Sequence, residues 1–245
     1  MPAVAAPTRS TANLVEKHPR FSLINAKLLM AFTGSGLLVF VTVHMLGNLQ
    51  IYLGQDALNA YAKKLKDMPA LLWLARLGLL ALFSGHLALA AYLRRVNRLA
   101  RPQRYVVNDL AQTTLASRTM LTSGLVIFAF LLYHLLHFTL GVTDAASHRL
   151  TDAQGRHDVY TMVVLGFQNV YVSAAYIVAM LFLGLHLSHA TSSIFQTLGL
   201  ASKRSRELLH RGGVVVALSI MLGNVSIPVA VLSGLIGLPN DGGAP

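Results

Sequence analysis

Six histidines of this chain stand inside apolar runs: His44, His86, His134 with His137, and His186 with His189. Imidazole binds metals through nitrogen and carries protons near neutral pH. The chain has no cysteine, which excludes disulfides, iron–sulfur clusters and thiolate zinc sites on it and leaves histidine as its available soft ligand. Polar side chains within a hydrocarbon-like segment are costly and face other helices. A hydrogen bond to a neighbouring helix explains one such residue, whereas four histidines on four separate segments point to a shared site.

The segments that must position them are five apolar windows near 28–51, 70–93, 119–141, 171–195 and 213–237. Each reaches the roughly 20 residues needed to cross about 30 Å of hydrocarbon. Helices are the economical reading, because a lipid-embedded segment must satisfy its own backbone and the period-2 alternation of a barrel is absent. With 54% hydrophobic and 12% charged residues, the 245-residue chain is too oily for a soluble domain. The expectation is an all-α, integral membrane five-helix bundle: a cytoplasmic arm over 1–27, the spanning domain over 28–237 and a short outer tail over 238–245. The arm has no apolar core of its own before Phe21 and does not resemble a cleaved signal.

Charge sets the expected orientation. Fourteen lysines and arginines fall in the arm and the second and fourth connections, among them Arg94, Arg95, Arg98, Arg101, Arg104 and Lys203, against five in the first and third: Lys63, Lys64, Lys66, Arg149 and Arg156. The positive-inside rule then puts the N-terminus in the cytoplasm and the C-terminus outside. A net charge of +11 distributed in this way suits anionic lipid or a docking partner better than nucleic acid.

Orientation gives the histidines their depth, at about 1.5 Å per residue. His44 and His134 lie some 15 residues along outward-running helices, His86 and His186 as far along inward-running ones. Two layers result, His44 with His134 toward the outside and His86 with His186 toward the inside. Two histidines at one level can clamp a planar macrocycle from both faces, as a six-coordinate b haem is held in a bundle, and two such pairs would make an electron wire. A bare zinc or copper site would want three or four ligands at one depth. His137 and His189, one turn beyond, suit propionate, quinone or partner contacts, and a shift of register would exchange them with His134 and His186.

Glycines 34, 36, 47, 85 and 184 would let a flat ring approach the backbone, or serve ordinary small-residue helix packing. An internal echo is more specific: Thr33-Gly34 precedes His44 and Ser123-Gly124 precedes His134 by the same spacing. Almost three helical turns separate each hydroxyl from its histidine, so both share a face. Such a hydroxyl would bond a haem propionate or its own backbone.

TGSGLLVFVTVH ending at His44, LLALFSGHLALAAYLRR around His86, SGLVIFAFLLYH ending at His134 and LGLHLSHATSSIFQTLGL around His186 together resemble the diheme cytochrome b subunit of succinate dehydrogenase and fumarate reductase, in its single-polypeptide five-helix form. The ordered set, from about Phe21 through the fifth helix, carries the resemblance. It implies that His44 and His134 bind the distal haem b and His86 and His186 the proximal one. It also implies a flavoprotein and an iron–sulfur partner on the cytoplasmic face, which handle succinate and fumarate, and a quinone substrate, commonly menaquinone.

Outer-side quinone candidates are Asn48, Gln50, Tyr52, Lys66, Asp67, His137, Gln168 and Asn169, each equally readable as an interfacial polar residue. None of the five windows contains Asp or Glu, so no carboxylate proton relay is visible. Other readings stay open at this point: the cytochrome b anchor of a hydrogenase, formate dehydrogenase or nitrate reductase, a haem-free anchor, or a histidine-relay transporter.

Overall fold

A computed structural model describes residues 22–100, 115–202 and 204–238. Among them there is no strand, only an isolated bridge between Thr151 and His157. Eight α-helices follow one another: α1 Leu23–Asn48, α2 Gln55–Lys66, α3 Pro69–Leu99, α4 Leu115–Arg118, α5 Met120–His134, α6 Val159–Gln168, α7 Val170–Thr197 and α8 Arg206–Leu232. Five stretches are long and apolar enough to cross a membrane: Leu23–Leu53, Pro69–Leu99, Met120–Thr139, Val170–Thr197 and Arg206–Leu232. They are compatible with an integral membrane protein, and leucine, valine and phenylalanine crowd their exposed faces.

Several helices overrun the apolar windows. α1 begins at Leu23, where the Ser22 hydroxyl caps it by accepting from the Ile24 amide at 3.3 Å. The last residues of the expected arm are therefore helical, Lys27 among them; residues 1–21 lie outside the described residues. α3 runs on through Arg94, Arg95 and Arg98, and α8 starts at Arg206, seven residues before its window. Helix propagation needs only backbone hydrogen bonds, so charge at the membrane edge does not end it. At its far end α8 stops at Leu232, short of 237. Arg101 and Arg104, Lys203 and the tail from 239 onward also fall outside the described residues.

Backbone packing pairs α1 with α3 and α7, α5 with α7, and α7 with α8. α3 has no buried residue; it packs chiefly on α1 and meets α5 through the stacked Phe83 and Phe128 rings at 6.1 Å. One core cluster, Met45, Leu187, Ala217 and Ile220, binds α1, α7 and α8.

A second core closes one end of the bundle. There α2 and α6 lie over the C-terminal ends of α1 and α5, and Ile51, Leu58, Tyr160, Val164, Phe167 and Tyr176 pack with Ile227, Ala230, Val231 and Ile236. The long third connection, which the sequence suggests is polar, thus holds an apolar helix, α6. Its polar residues face α2. Asn59, fully buried, donates to Asp152 Oδ2 at 3.0 Å and Asp158 Oδ1 at 2.9 Å and accepts from the Tyr160 amide at 3.0 Å. Gln55 donates to Asp158 Oδ2 at 2.8 Å, and Arg156 bridges Asp152 at 2.7 Å and Asp56 at 2.8 Å. Asp158 also caps α6 by accepting from the Thr161 amide at 3.1 Å. This end is called the cap end below, and the opposite end, with Arg94, Arg95, Arg98 and Arg206, the arginine end.

Two outcomes follow from the cap. The first concerns Gly47 on α1, where a Cβ would stand 2.6 Å from the Tyr61 hydroxyl oxygen of α2 and 2.8 Å and 2.9 Å from its ring carbons. Gly47→Ala must therefore displace the Tyr61 ring or the α2 helix that carries it, and overpacking of this kind costs about 1–3 kcal/mol. A lowered thermal midpoint in detergent checks it, with Gly78→Ala, whose Cβ meets nothing, as control.

The second outcome is acid sensitivity. Burial, the largest influence on Asp158, raises its pKa, but hydrogen bonds from Asn59, Thr161 and Gln55 outweigh it and hold the carboxyl below its ordinary value. Asp152 behaves alike, with bonds from Arg156, Asn59 and the Gln154 amide overcoming burial. Ser147 bonds pull Asp144 down as well. A carboxylate with a depressed folded pKa contributes stability above its unfolded value, and that contribution is lost as pH falls through the folded one. The cap therefore holds at neutral pH and loosens below about pH 4, which protease cleavage between residues 141 and 158 across a pH series would read.

Candidate functional site

Each of the four principal histidines comes from a different long helix, and the contacts sort them into two levels. At the cap end, His44 near the end of α1 and His134 at the end of α5 face each other, ring centroids 5.9 Å apart and planes 82° to one another. Toward the arginine end, His86 of α3 meets Thr33 and Gly34 in the first half of α1, while His186 of α7 meets Ser123 and Gly124 at the start of α5. His186 lies within electrostatic reach of both His86 and His189. The grouping agrees with the depth arithmetic.

The lower level holds a contact the sequence reading did not anticipate. Thr33 and Ser123 do bond their own backbone: Thr33 Oγ1 donates to Leu29 O at 2.9 Å and Met30 O at 3.1 Å, and Ser123 Oγ to Met120 O at 3.1 Å. Each oxygen also lies 3.2 Å from the Nδ1 of a histidine at the arginine-end level, Thr33 from His86 and Ser123 from His186. The echoed hydroxyls thus address the histidine of the next spanning helix and not the one eleven residues ahead. The glycines serve helix approach as well. A Cβ on Gly36 would stand 2.8 Å from Leu82, one on Gly184 3.0 Å from Met221 and one on Gly85 3.8 Å from Thr33, while Gly34 and Gly124 leave room for the His86 and His186 imidazoles, 3.4 Å and 3.8 Å away.

At the cap level Tyr176, on α7, is the residue sequence reasoning missed. Its hydroxyl lies 3.1 Å from His137 Nδ1 and 3.4 Å from His134 Nδ1. A phenol has one proton, so it donates to one ring and accepts from the other. Around it Phe130, Tyr133, Phe138 and Phe167 form an aromatic box of edge contacts. After His134 the helix widens into a π-turn over Leu135–Thr139, a turn type that concentrates at functional sites, and it aims His137 at the same phenol. His137 is buried, stacked on Phe138 at 4.0 Å and Tyr133 at 5.5 Å. It stands as an enclosed neighbour of His134. His189, near the arginine end, bonds Ser193 Oγ through Nε2 at 3.2 Å.

The remaining quinone candidates are dispersed over the cap end. Asn48 and Gln50, half-buried, close the first span; Tyr52 is exposed; Lys66 lies at the exposed end of α2 and Asp67 pairs with Lys63 at 2.7 Å. Gln168 is exposed, and Asn169 caps α7 by accepting from Tyr171 and Val172 amides at 3.0 Å and 3.3 Å. Beside Lys66, burial holds the His157 pKa below its ordinary value and the nearby ammonium lowers it further.

The arrangement suits two-point nitrogen ligation of a flat cofactor. With metal–nitrogen bonds of about 2.0–2.1 Å, two imidazoles on opposite sides of one ion hold their ring centroids roughly 6 Å apart. The 5.9 Å between His44 and His134 is close to that spacing. Among the described residues no group of three or more His, Asp or Glu side chains converges on one point, as a bare zinc site would require. The single carboxylate inside the five spanning stretches, Glu207, sits in the first turn of α8 and pairs with Arg211 at 2.8 Å, so the donor set is neutral. Comparison with protein-family models, with curated proteins and with solved structures finds no match to the chain.

Proposed function

We propose that the chain is the membrane-anchor cytochrome b subunit of a succinate:quinone oxidoreductase, with His44 and His134 as axial ligands of one haem b and His86 and His186 as those of the other. The observation that carries the reading is the two-level pairing of histidines from four helices, with the upper pair at ligand spacing. The motif set that resembles the diheme anchors supports the choice of complex. Bound between such pairs, haem supplies one-electron oxidation and reduction deep in the bilayer. The chain's own part is to hold four neutral imidazoles on rigid helices, to exclude water with leucine and phenylalanine, and to tune the ligands through Thr33, Ser123 and Tyr176.

In this reading the arginine end faces the cytoplasm and docks an iron–sulfur subunit joined to a flavoprotein, where succinate and fumarate are handled. Electrons pass between those subunits and quinone, menaquinone in the form the resemblance implies. An optical spectrum of the purified chain tests the proposal: dithionite reduction brings up the sharp α-band of low-spin b haem, and its absence overturns the assignment. Co-purification with a covalent-flavin subunit separates this complex from a hydrogenase, formate dehydrogenase or nitrate reductase.

A further inference from the structure

Thr33 and Ser123 make the same pair of bonds at equivalent places in two successive helical hairpins, and the direction of those bonds can be worked out. Each hydroxyl has one proton, and a backbone carbonyl of its own helix takes it: Leu29 O and Met30 O share that of Thr33, Met120 O receives that of Ser123. The oxygen is left as an acceptor, 3.2 Å from His86 Nδ1 in one hairpin and from His186 Nδ1 in the other. Were either ring instead protonated at Nε2, that N–H would have no acceptor, because the hydroxyl is the ring's one hydrogen-bond partner among the described residues. A stranded N–H in an apolar interior is rarer and costlier than a stranded lone pair. Both hydroxyls are buried, Thr33 8% exposed and Ser123 fully enclosed, so water does not compete.

We propose that Thr33 and Ser123 are a matched pair of positioning residues: each accepts the Nδ1–H of an inner histidine, fixing His86 and His186 in the tautomer whose Nε2 lone pair is free toward the space between the helices. The ligand role of that lone pair rests on the function proposed above; the hydroxyl–imidazole bond does not. An imidazole that donates through Nδ1 is a more basic ligand through Nε2 and favours the oxidised metal. The two hydroxyls therefore lower the potential of the inner haem and leave the outer one, whose His134 faces Tyr176, unaffected.

The test uses the full-length chain in detergent, labelled with 15N-histidine and reduced with dithionite so that it is diamagnetic, in the wild type and in Thr33→Val, Thr33→Ser, Ser123→Ala and Ser123→Thr. The wild type is expected to give slowly exchanging, downfield Nδ1–H signals from His86 and His186. Thr33→Val removes the His86 signal and Ser123→Ala the His186 signal, while Thr33→Ser and Ser123→Thr keep them. In a redox titration the two deletions raise the midpoint of one haem only, the same one in both, and the two conservative variants restore it. Wild-type signals from Nε2–H, or deletions that leave both the signals and the potentials unchanged, overturn the proposal. A chain that carries no haem defeats the proposed function alone, since the Nδ1–H signals still decide the positioning role.

Discussion

In the proposed function, replacing His44, His86, His134 or His186 singly by alanine is expected to lower the b haem content from two per chain to one. Each of these histidines would hold a haem through one metal–nitrogen bond, and its removal would cost more than the 10- to 100-fold typical of a supporting residue. The pairing makes the outcome specific. His44→Ala and His134→Ala lose the same spectral component, since their rings face each other at 5.9 Å, and His86→Ala and His186→Ala lose the other. A pyridine haemochrome assay against protein concentration gives the ratio, and low-temperature spectra identify the component. His137→Ala keeps both haems, because that ring bonds Tyr176 and packs in an aromatic box. Loss of haem there, with His134→Ala intact, would transfer the ligand role one turn along α5.

The largest effect away from the histidines is expected at Asn59. Its amide donates to two carboxylates and its carbonyl accepts the Tyr160 amide, all in a site from which water is excluded. Hydrogen bonds to charged groups contribute about 1.5–3 kcal/mol each, and their partners stay buried when one side is cut away. Asn59→Ala is expected to cost about 3 kcal/mol, seen as a lower melting temperature in detergent and faster cleavage between α5 and α6. Asn59→Asp keeps the shape but puts a third carboxylate against Asp152 and Asp158, so it destabilises at neutral pH and recovers in mild acid. Haem content in both variants remains that of the wild type if the cap is an element separate from the ligand layers.

The spanning helices were legible because twenty apolar residues in a row admit few structures, and the histidine levels because a helix converts residue number into depth. The same arithmetic, applied to hydroxyls, would have put Thr33 level with His86, since one lies early in an outward-running window and the other late in an inward-running one. α2 and α6 escaped for a different reason. QDALNAYAKKLK reads as a charged connection until its leucine and asparagine find α6, and VYTMVVLGFQ is too short to cross a membrane. Tyr176 is one aromatic residue among many in its window, and only tertiary packing sets it against two histidines.

The recurrence of Thr33 with His86 and Ser123 with His186 bears on how the chain is made. The first and second spans form one hairpin and the third and fourth another, and in each the partner for the inner imidazole lies on the neighbouring span of the same hairpin. In the proposed membrane-anchor role each pair of helices would therefore enter lipid with its Nδ1–H already satisfied, without a contact from the other pair. If the chain binds haem as proposed, the nascent protein would have no need to hold a bare imidazole proton in hydrocarbon before the haem arrives, and the two hairpins would meet around it as preformed halves.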